Sequence, residues 1–162
     1  MDQMRPIDEL RYLALAAQRE GNRLLADELQ PLGLTPSQAE ALRVLEDWEP
    51  LALVELGALL VCEQGSPSRL VAGLIAAGYV ERMPSSDDKR KITLTLTPAG
   101  RAAVMRVHAA EDALLSLMGM AINDDEIQTI LPILWRVVAG RPAGNALARR
   151  LGRLSLPSRE NG

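Results

Sequence analysis

Phenylalanine is absent, and aromatics of any kind are scarce: Tyr12, Trp48, Tyr79 and Trp135 are the whole set in 162 residues. A core must therefore be assembled from leucine, alanine, valine and isoleucine, a palette rich enough in alanine and leucine to favour helices. One cysteine, Cys62, excludes an internal disulfide and gives no sign of an oxidising compartment. One histidine, His108, cannot assemble a metal site with that cysteine at this spacing. No apolar run reaches the length of a membrane span or a signal-peptide core, and the first residues carry acids at Asp2, Asp8 and Glu9. The expectation is a cytoplasmic protein with no membrane partner. Enzyme motifs are missing as well: no nucleophile elbow, no glycine-rich phosphate loop after a strand, and a histidine alone in mid-helix. Neither catalysis nor a cofactor is expected.

What is present suffices for one well-packed domain or a domain with a dimerisation extension, at 48% hydrophobic and 24% charged residues. The net charge of −3 argues against nucleic acid until it is mapped. Residues 1–63 carry −7, residues 64–106 carry +4 and residues 107–162 carry 0. The one net-positive segment would attract a duplex locally while the bulk repels it, which favours specific over indiscriminate binding.

That positive segment, residues 65–100, organises the chain. Ser66 suits an N-cap and Pro67 the first helical position, whose amide hydrogen has no partner anyway. Leu70, Val71, Leu74 and Ile75 then form one apolar stripe, leaving Ser66, Ser68 and Arg69 outward at the helix start. Gly78 suits the left-handed residue that stops the helix. Residues 79–83 and 92–96 can pair as a hairpin, the second by alternation of Ile92, Leu94 and Leu96 against Thr93 and Thr95. Residues 84–91 form a loop too polar for a core. A short helix with small polar residues at its start, followed by a basic hairpin tip, is the geometry of a winged helix-turn-helix. The helix would enter the major groove, contacting DNA through Gln64, Ser66, Pro67, Ser68 and Arg69. The tip, Asp88, Lys89, Arg90 and Lys91, would reach the backbone or minor groove, with Asp88 bracing the Arg90 guanidinium two residues on.

Leu34-Thr35-Pro36-Ser37-Gln38, Leu56-Gly57-Ala58-Leu59-Leu60, Ser68-Arg69-Leu70-Val71, Gly78-Tyr79-Val80-Glu81-Arg82, Asp88-Lys89-Arg90 and Leu96-Thr97-Pro98-Ala99-Gly100-Arg101 stand in the order and spacing of one known pattern. Over residues 7–138 the chain resembles the MarR family of bacterial transcriptional regulators. The wing signature and the Leu-Thr-x-x-Gly-Arg after it are the most specific part. The resemblance implies a mainly α fold with a small β-hairpin wing (α+β), dimerisation through the terminal helices, and a ligand cleft between the DNA-binding lobe and those helices. Ala72 and Gly73 depart from the family, where charged or longer polar residues are common.

The flanks fit this plan. Residues 6–30 read as a long first helix, Thr35 to Gln38 as a capping box opening a helix to about residue 47, and residues 54–62 as a third helix with Leu56, Leu59 and Leu60 inward. After the wing, Thr97 caps a helix to about residue 118. Asn123 opens another whose buried side would be Ile127, Ile130, Leu131, Leu134, Val137 and Val138, with Pro132 expected to kink it. A break at residues 140–144 and a short basic helix at residues 145–154 follow. The domain plan is thus residues 1–30 and 101–154 for dimerisation, residues 31–100 for DNA, and residues 155–162 as a disordered tail. The surplus apolar faces of the terminal helices call for a partner, most economically a second copy.

The expectation is a homodimeric repressor of a pseudo-palindromic operator, responsive to a small-molecule effector that Tyr12, Trp48 and His108 are candidates to line. Two other readings stay open: a winged-helix module that binds only protein, and a redox-responsive regulator acting through Cys62. Cys62 itself follows the apolar face of the third helix and is expected to be a buried small hydrophobe, with Glu63 beside it raising its pKa.

Overall fold

The computed structural model describes residues 4–62 and 65–157. Its elements run α1 (Pro6–Leu29), a single 3-10 turn (Gln30–Leu32), α2 (Pro36–Trp48), α3 (Leu53–Leu59), α4 (Pro67–Ala76), β1 (Val80–Pro84), β2 (Ile92–Leu96), α5 (Pro98–Ala121), α6 (Asp124–Val138) and α7 (Pro142–Arg150). Helix α2 is the hub. Its capping box forms as expected, with Gln38 N donating to Thr35 Oγ1 and Thr35 N to Gln38 Oε1. Its Leu42, Val44 and Leu45 are fully buried, and α1, α3, α4, α5 and β2 all pack on it. The core is aliphatic, built from these residues with Leu29, Leu56, Leu59, Val71, Leu74, Val80, Val104 and Val107.

Several boundaries move, each for a hydrogen-bonding reason. Helix α3 stops at Leu59, not at Cys62, because the Val61 and Cys62 amides turn away to the Glu40 carboxylate. The expected turn at residues 63–65 lies largely outside the described residues. Strand β1 starts at Val80, since Tyr79 N–H belongs to the end of α4: it donates to Leu74 O while Gly78 N–H donates to Ile75 O, with Gly78 at φ +78°. The hairpin pairs antiparallel from Val80 opposite Leu96 to Pro84 opposite Ile92. Leu51 adds a bridge to Leu94 that sequence alternation did not foresee. Of the supposed apolar face, Leu94 and Leu96 are buried, but Ile92 has run past the core and is half exposed. Thr93, assigned to the outer face, is buried and donates its hydroxyl to Met83 O. Ser85, in the loop, is buried too.

Beyond the wing, Thr97 caps α5 as expected, accepting from Gly100 N, and α5 runs three residues further than anticipated. Asn123 and Glu126 close a reciprocal capping box on α6, which continues through Pro132 as one helix. The six apolar residues expected inside are not: Ile130, Leu131, Leu134 and Val137 are exposed, Ile127 and Val138 half buried, and no α6 residue is buried. Helix α1 likewise buries only Leu29, with Ile7, Leu10 and Leu13 exposed. Among the described residues nothing in the chain covers these faces. Helix α7 begins at Pro142, three residues before the expected start, and packs on α3. Ser155 to Pro157, expected in the disordered tail, lie against the body: Leu156 packs on the core and Ser155 O accepts from Arg149 Nε. Residues 158–162 lie outside the described residues. No helix among the described residues is long and apolar enough to cross a membrane.

Candidate nucleic-acid interface

Helix α4 presents its first turn to solvent. Val71 and Leu74 anchor it in the core, with Leu70 and Ile75 partly buried beside them, and the opposite side carries exposed Ser66, Ser68 and Arg69. Pro67 occupies the first helical position as anticipated. Ser66 holds the N-cap position but not by its side chain: Ser66 Oγ pairs with Ser68 Oγ at 2.6 Å, and the helix bonds of Arg69 and Leu70 go to the Ser66 carbonyl. Two adjacent hydroxyls near the helix start thus satisfy each other, a pair that can reopen toward an incoming acceptor. Gln64 lies outside the described residues. Of the two small residues that follow, Ala72 is exposed, whereas Gly73 faces α2, where a Cβ would sit 3.2 Å from Gln38 Nε2. Only Ala72 therefore removes a side chain from the outer surface.

The wing tip is folded by its own polar groups. Asp88 Oδ1 accepts from Arg90 N at 3.0 Å and from Arg90 Nε at 3.3 Å, while Asp88 O accepts from Lys91 N. Ser85 N then donates to Lys91 O, and Ser85 Oγ accepts from Asp87 N, closing the loop. Arg90 keeps 92% of its side chain exposed. A solvated pair of this kind adds little to stability, so its consequence is orientation: the guanidinium projects from the tip on a shortened leash. Lys89 and Lys91 are exposed beside it.

Two carboxylates that sequence reasoning missed, Glu40 buried and Glu49 half buried, hold these parts in place. Glu40, 8% exposed, accepts from Val61 N and Cys62 N at 2.8 Å each and from Arg150 Nη1 at 3.0 Å, so it shapes the turn that leads into α4. Glu49 accepts from Leu96 N at 2.6 Å and pairs with Arg101, joining the end of α2 to the wing and to α5. On a helical pattern both look like ordinary polar positions. A signal existed only in part: Glu40 interrupts the run Ala39, Ala41, Leu42, where an unpaired charge would be costly.

The remaining candidates separate. Cys62, expected buried, is exposed. Packing beneath its sulfur, and then the Glu40 carboxylate, push its thiol up to about 11, against a smaller opposing pull from Arg150. Glu63, expected to raise it, lies outside the described residues. Such a thiol is almost wholly protonated near neutrality and is a poor nucleophile. His108, pictured alone on its helix, stands in a cluster between α2 and α5: Nε2 lies 2.9 Å from Glu46 Oε2 and 3.0 Å from Arg43 Nη1, and Arg43 also pairs with Glu46 and Glu111. The three-residue spacings of Arg43 with Glu46 and His108 with Glu111 could have suggested it. Tyr12 is exposed on α1 under the Arg11 guanidinium, and Trp48 is half buried with Arg149, Arg153 and Leu156 along a shallow cleft. Each of the three ligand candidates has different neighbours. No group of three metal-ligating side chains occurs among the described residues.

With this geometry in place, comparison with known proteins is informative. Residues 34–100 match the family described as a winged helix DNA-binding domain. The multiple antibiotic resistance protein MarR of Escherichia coli (strain K12) is 30% identical over 119 residues, which cover 72% of this chain and 82% of that protein. MarR of Salmonella typhimurium is 28% identical over 134 residues, covering 82% and 91%. Among solved structures, a cysteine-to-serine mutant of E. coli MarR complexed with operator DNA superposes with a TM-score of 0.73 at 28% identity, over 85% of this chain and 99% of the other. A MarR family regulator from Silicibacter pomeroyi gives 0.66 at 32%, over 82% and 89%.

Proposed function

The chain belongs to the MarR family of winged helix-turn-helix transcriptional regulators, and from that premise we propose that it is a repressor that binds a pseudo-palindromic operator as a homodimer and is released by a small-molecule effector. The observation that carries the reading is the combination of an exposed first turn of α4, bearing Ser66, Ser68 and Arg69, with a wing whose Arg90 is held outward by Asp88. In this reading Arg69 reaches base edges in the major groove, and Arg90 reads charge and width in a minor groove. Gln64, Pro67, Lys89 and Lys91 complete the proposed contact set.

The test is a salt titration on a duplex from the region upstream of its own gene. With roughly three to five phosphate contacts per subunit, the log–log slope of affinity against salt will be on the order of −6 to −9 per dimer. Absence of binding at low salt would favour a module that binds only protein. Arg69→Ala will cost about 1–3 kcal/mol on the operator and relax base preference. Arg90→Ala will weaken binding and flatten the salt slope with little change in base preference, except where an A·T-rich minor groove flanks the site. Asp88→Ala will behave as a milder Arg90→Ala, because it removes the brace and leaves the charge. If both wing variants bind like wild type, the wing is a solvated turn.

The uncovered faces of α1 and α6 support the dimer. Ile7, Leu10 and Leu13 on the first, and Ile130, Leu131, Leu134 and Val137 on the second, are more apolar surface than a monomer ordinarily shows to water. Sedimentation equilibrium at micromolar concentration will give twice the 17.6 kDa chain mass. A monomer there removes the two-fold operator with it. For the effector, the seam between α2 and α5 is the favoured place: His108 stands in it, and Glu46, which holds His108, also lines a cleft of about 330 Å³ with Leu96, Arg101 and Met105.

A further inference from the structure

From residue 127 to residue 157 the chain carries five arginines and no acidic side chain. Three of them fall on or beside α7, at 141, 149 and 150, and they are not equivalent. Arg150 is neutralised by Glu40. Arg141 donates its Nε to Val137 O, and Arg149 donates to Ser155 O and Ala58 O. Among the described residues these recorded bonds of Arg141 and Arg149 go to carbonyl oxygens, so both guanidiniums keep their full charge and most of their five N–H donors. They line opposite ends of a cleft of about 690 Å³ whose far wall is Gly57, Ala58 and Val61, at the end of α3.

Position decides what such a surface meets. In a docked helix-turn-helix the helix before the recognition helix crosses the DNA backbone, and here that helix is α3. Helix α7 is laid along α3 and fastened, through Arg150 and Glu40, to the amides of Val61 and Cys62, the turn that leads into α4. In that docking the DNA backbone, with its phosphates, runs past α3, the helix against which Arg141 and Arg149 line the cleft. A guanidinium prefers such an oxygen-rich anion to a point contact, because its planar fork can bind two oxygens at once.

We propose that the α3–α7 face is a second contact with the DNA backbone, in which Arg141 and Arg149 take phosphates that neither the recognition helix nor the wing touches. This rests on the DNA-binding reading and adds a contact to it. Phosphate contacts carry no base information, so the face sets affinity and salt dependence and leaves sequence preference alone.

The test is a set of salt titrations of Arg141→Gln, Arg141→Lys and Arg141→Gln/Arg149→Met, on the operator and on an unrelated duplex, with ethylation interference to map phosphates. Arg141 is exposed, so its variants will keep the fold. Arg141→Gln will weaken both duplexes by the same factor and make the operator slope shallower by about 2 per dimer, one contact from each subunit. Arg141→Lys will restore the slope. Ethylation interference will lose phosphates that Arg90→Ala retains. If Arg141→Gln and the double variant keep the wild-type slope while Arg69→Ala loses operator preference, DNA binding stands and this face is no contact. A changed slope with loss of the same phosphates as Arg90→Ala would also overturn the proposal, by assigning the effect to the wing. Should the unaltered protein bind neither duplex, the DNA-binding reading itself has failed.

Discussion

Glu40→Ala will lower the stability of the protein by about 2–4 kcal/mol, the cost of breaking a partly buried ion pair and orphaning backbone donors. Three donors converge on this carboxylate from two distant stretches: Val61 N, Cys62 N and Arg150 Nη1. Alanine at 40 leaves Arg150 without its counter-charge and the two amides without an acceptor. The loss falls below that for a wholly enclosed pair because Val61 is half buried and Cys62 exposed, so water can reach part of what is left. Glu40→Gln will recover only a small part of this, since Val61 N and Cys62 N bond different carboxylate oxygens and a carboxamide can accept from one of them while facing its NH2 to the other. Urea unfolding at one fixed protein concentration will show this as a shift in midpoint with unchanged slope. The turn at Val61 and Cys62 feeds directly into α4, so operator affinity will fall as well, and further for Glu40→Ala than for Arg150→Met, which leaves the two amide bonds in place. A cost below about 1 kcal/mol for alanine would mean that the turn holds its shape without the carboxylate.

Glu40 also marks where the sequence stops being legible. The local devices could be read residue by residue: the Thr35 and Asn123 caps, Pro67 at a helix start, Gly78 at a helix end. Each depends on neighbours within four positions, and each is present in the structure. Glu40 and Glu49 depend on partners 21 to 110 residues away, and no periodicity encodes those. The end of α3 departs from its pattern for the same reason: a helical period through Cys62 cannot show that a carboxylate on α2 will take its amide. Cys62 then emerges exposed. On α6 the periodicity of Ile127, Ile130, Leu131 and Leu134 points to a buried side, yet Ile130, Leu131 and Leu134 are exposed, because a period cannot say what covers the face it marks. The wing showed both outcomes within a few residues. The Asp88–Arg90 brace is a two-residue local motif and forms, whereas Thr93 is drawn inside by the Met83 carbonyl across the hairpin.

Gly100→Ala will destabilise the protein by about 2–4 kcal/mol and displace the wing, combining an overpacked contact with the loss of neighbouring hydrogen bonds. Taken as helix propensity alone the substitution should help, since alanine is better than glycine in a helix by about 1 kcal/mol. The packing reverses the sign. The start of α5 lies backbone to backbone against the end of α4: Thr97 N donates to Tyr79 O at 3.0 Å and Thr97 Oγ1 to Gly78 O at 2.6 Å. A Cβ on Gly100 would overlap the Tyr79 carbonyl oxygen and stand 3.0 Å from its carbon and 3.3 Å from Leu96 Cδ2. A carbonyl in a cap cannot swing aside as a side-chain end can, so α5 must lift, and the Thr97 bonds stretch with it. Strand β1 begins at Val80, one residue beyond, so the lift carries the wing away from its place beside α4. Gly119 supplies the control, near the other end of the same helix, where a Cβ meets nothing within 4 Å. Thermal unfolding will place Gly119→Ala at or above wild type and Gly100→Ala well below it. On the operator, Gly100→Ala will reproduce the flattened salt slope of Arg90→Ala at temperatures where both are folded, because a wing set at the wrong angle loses the same phosphates as a wing without its arginine. If Gly100→Ala unfolds with Gly119→Ala and keeps the wild-type slope, the contact between α5 and Tyr79 has room for a methyl group and does not set the position of the wing.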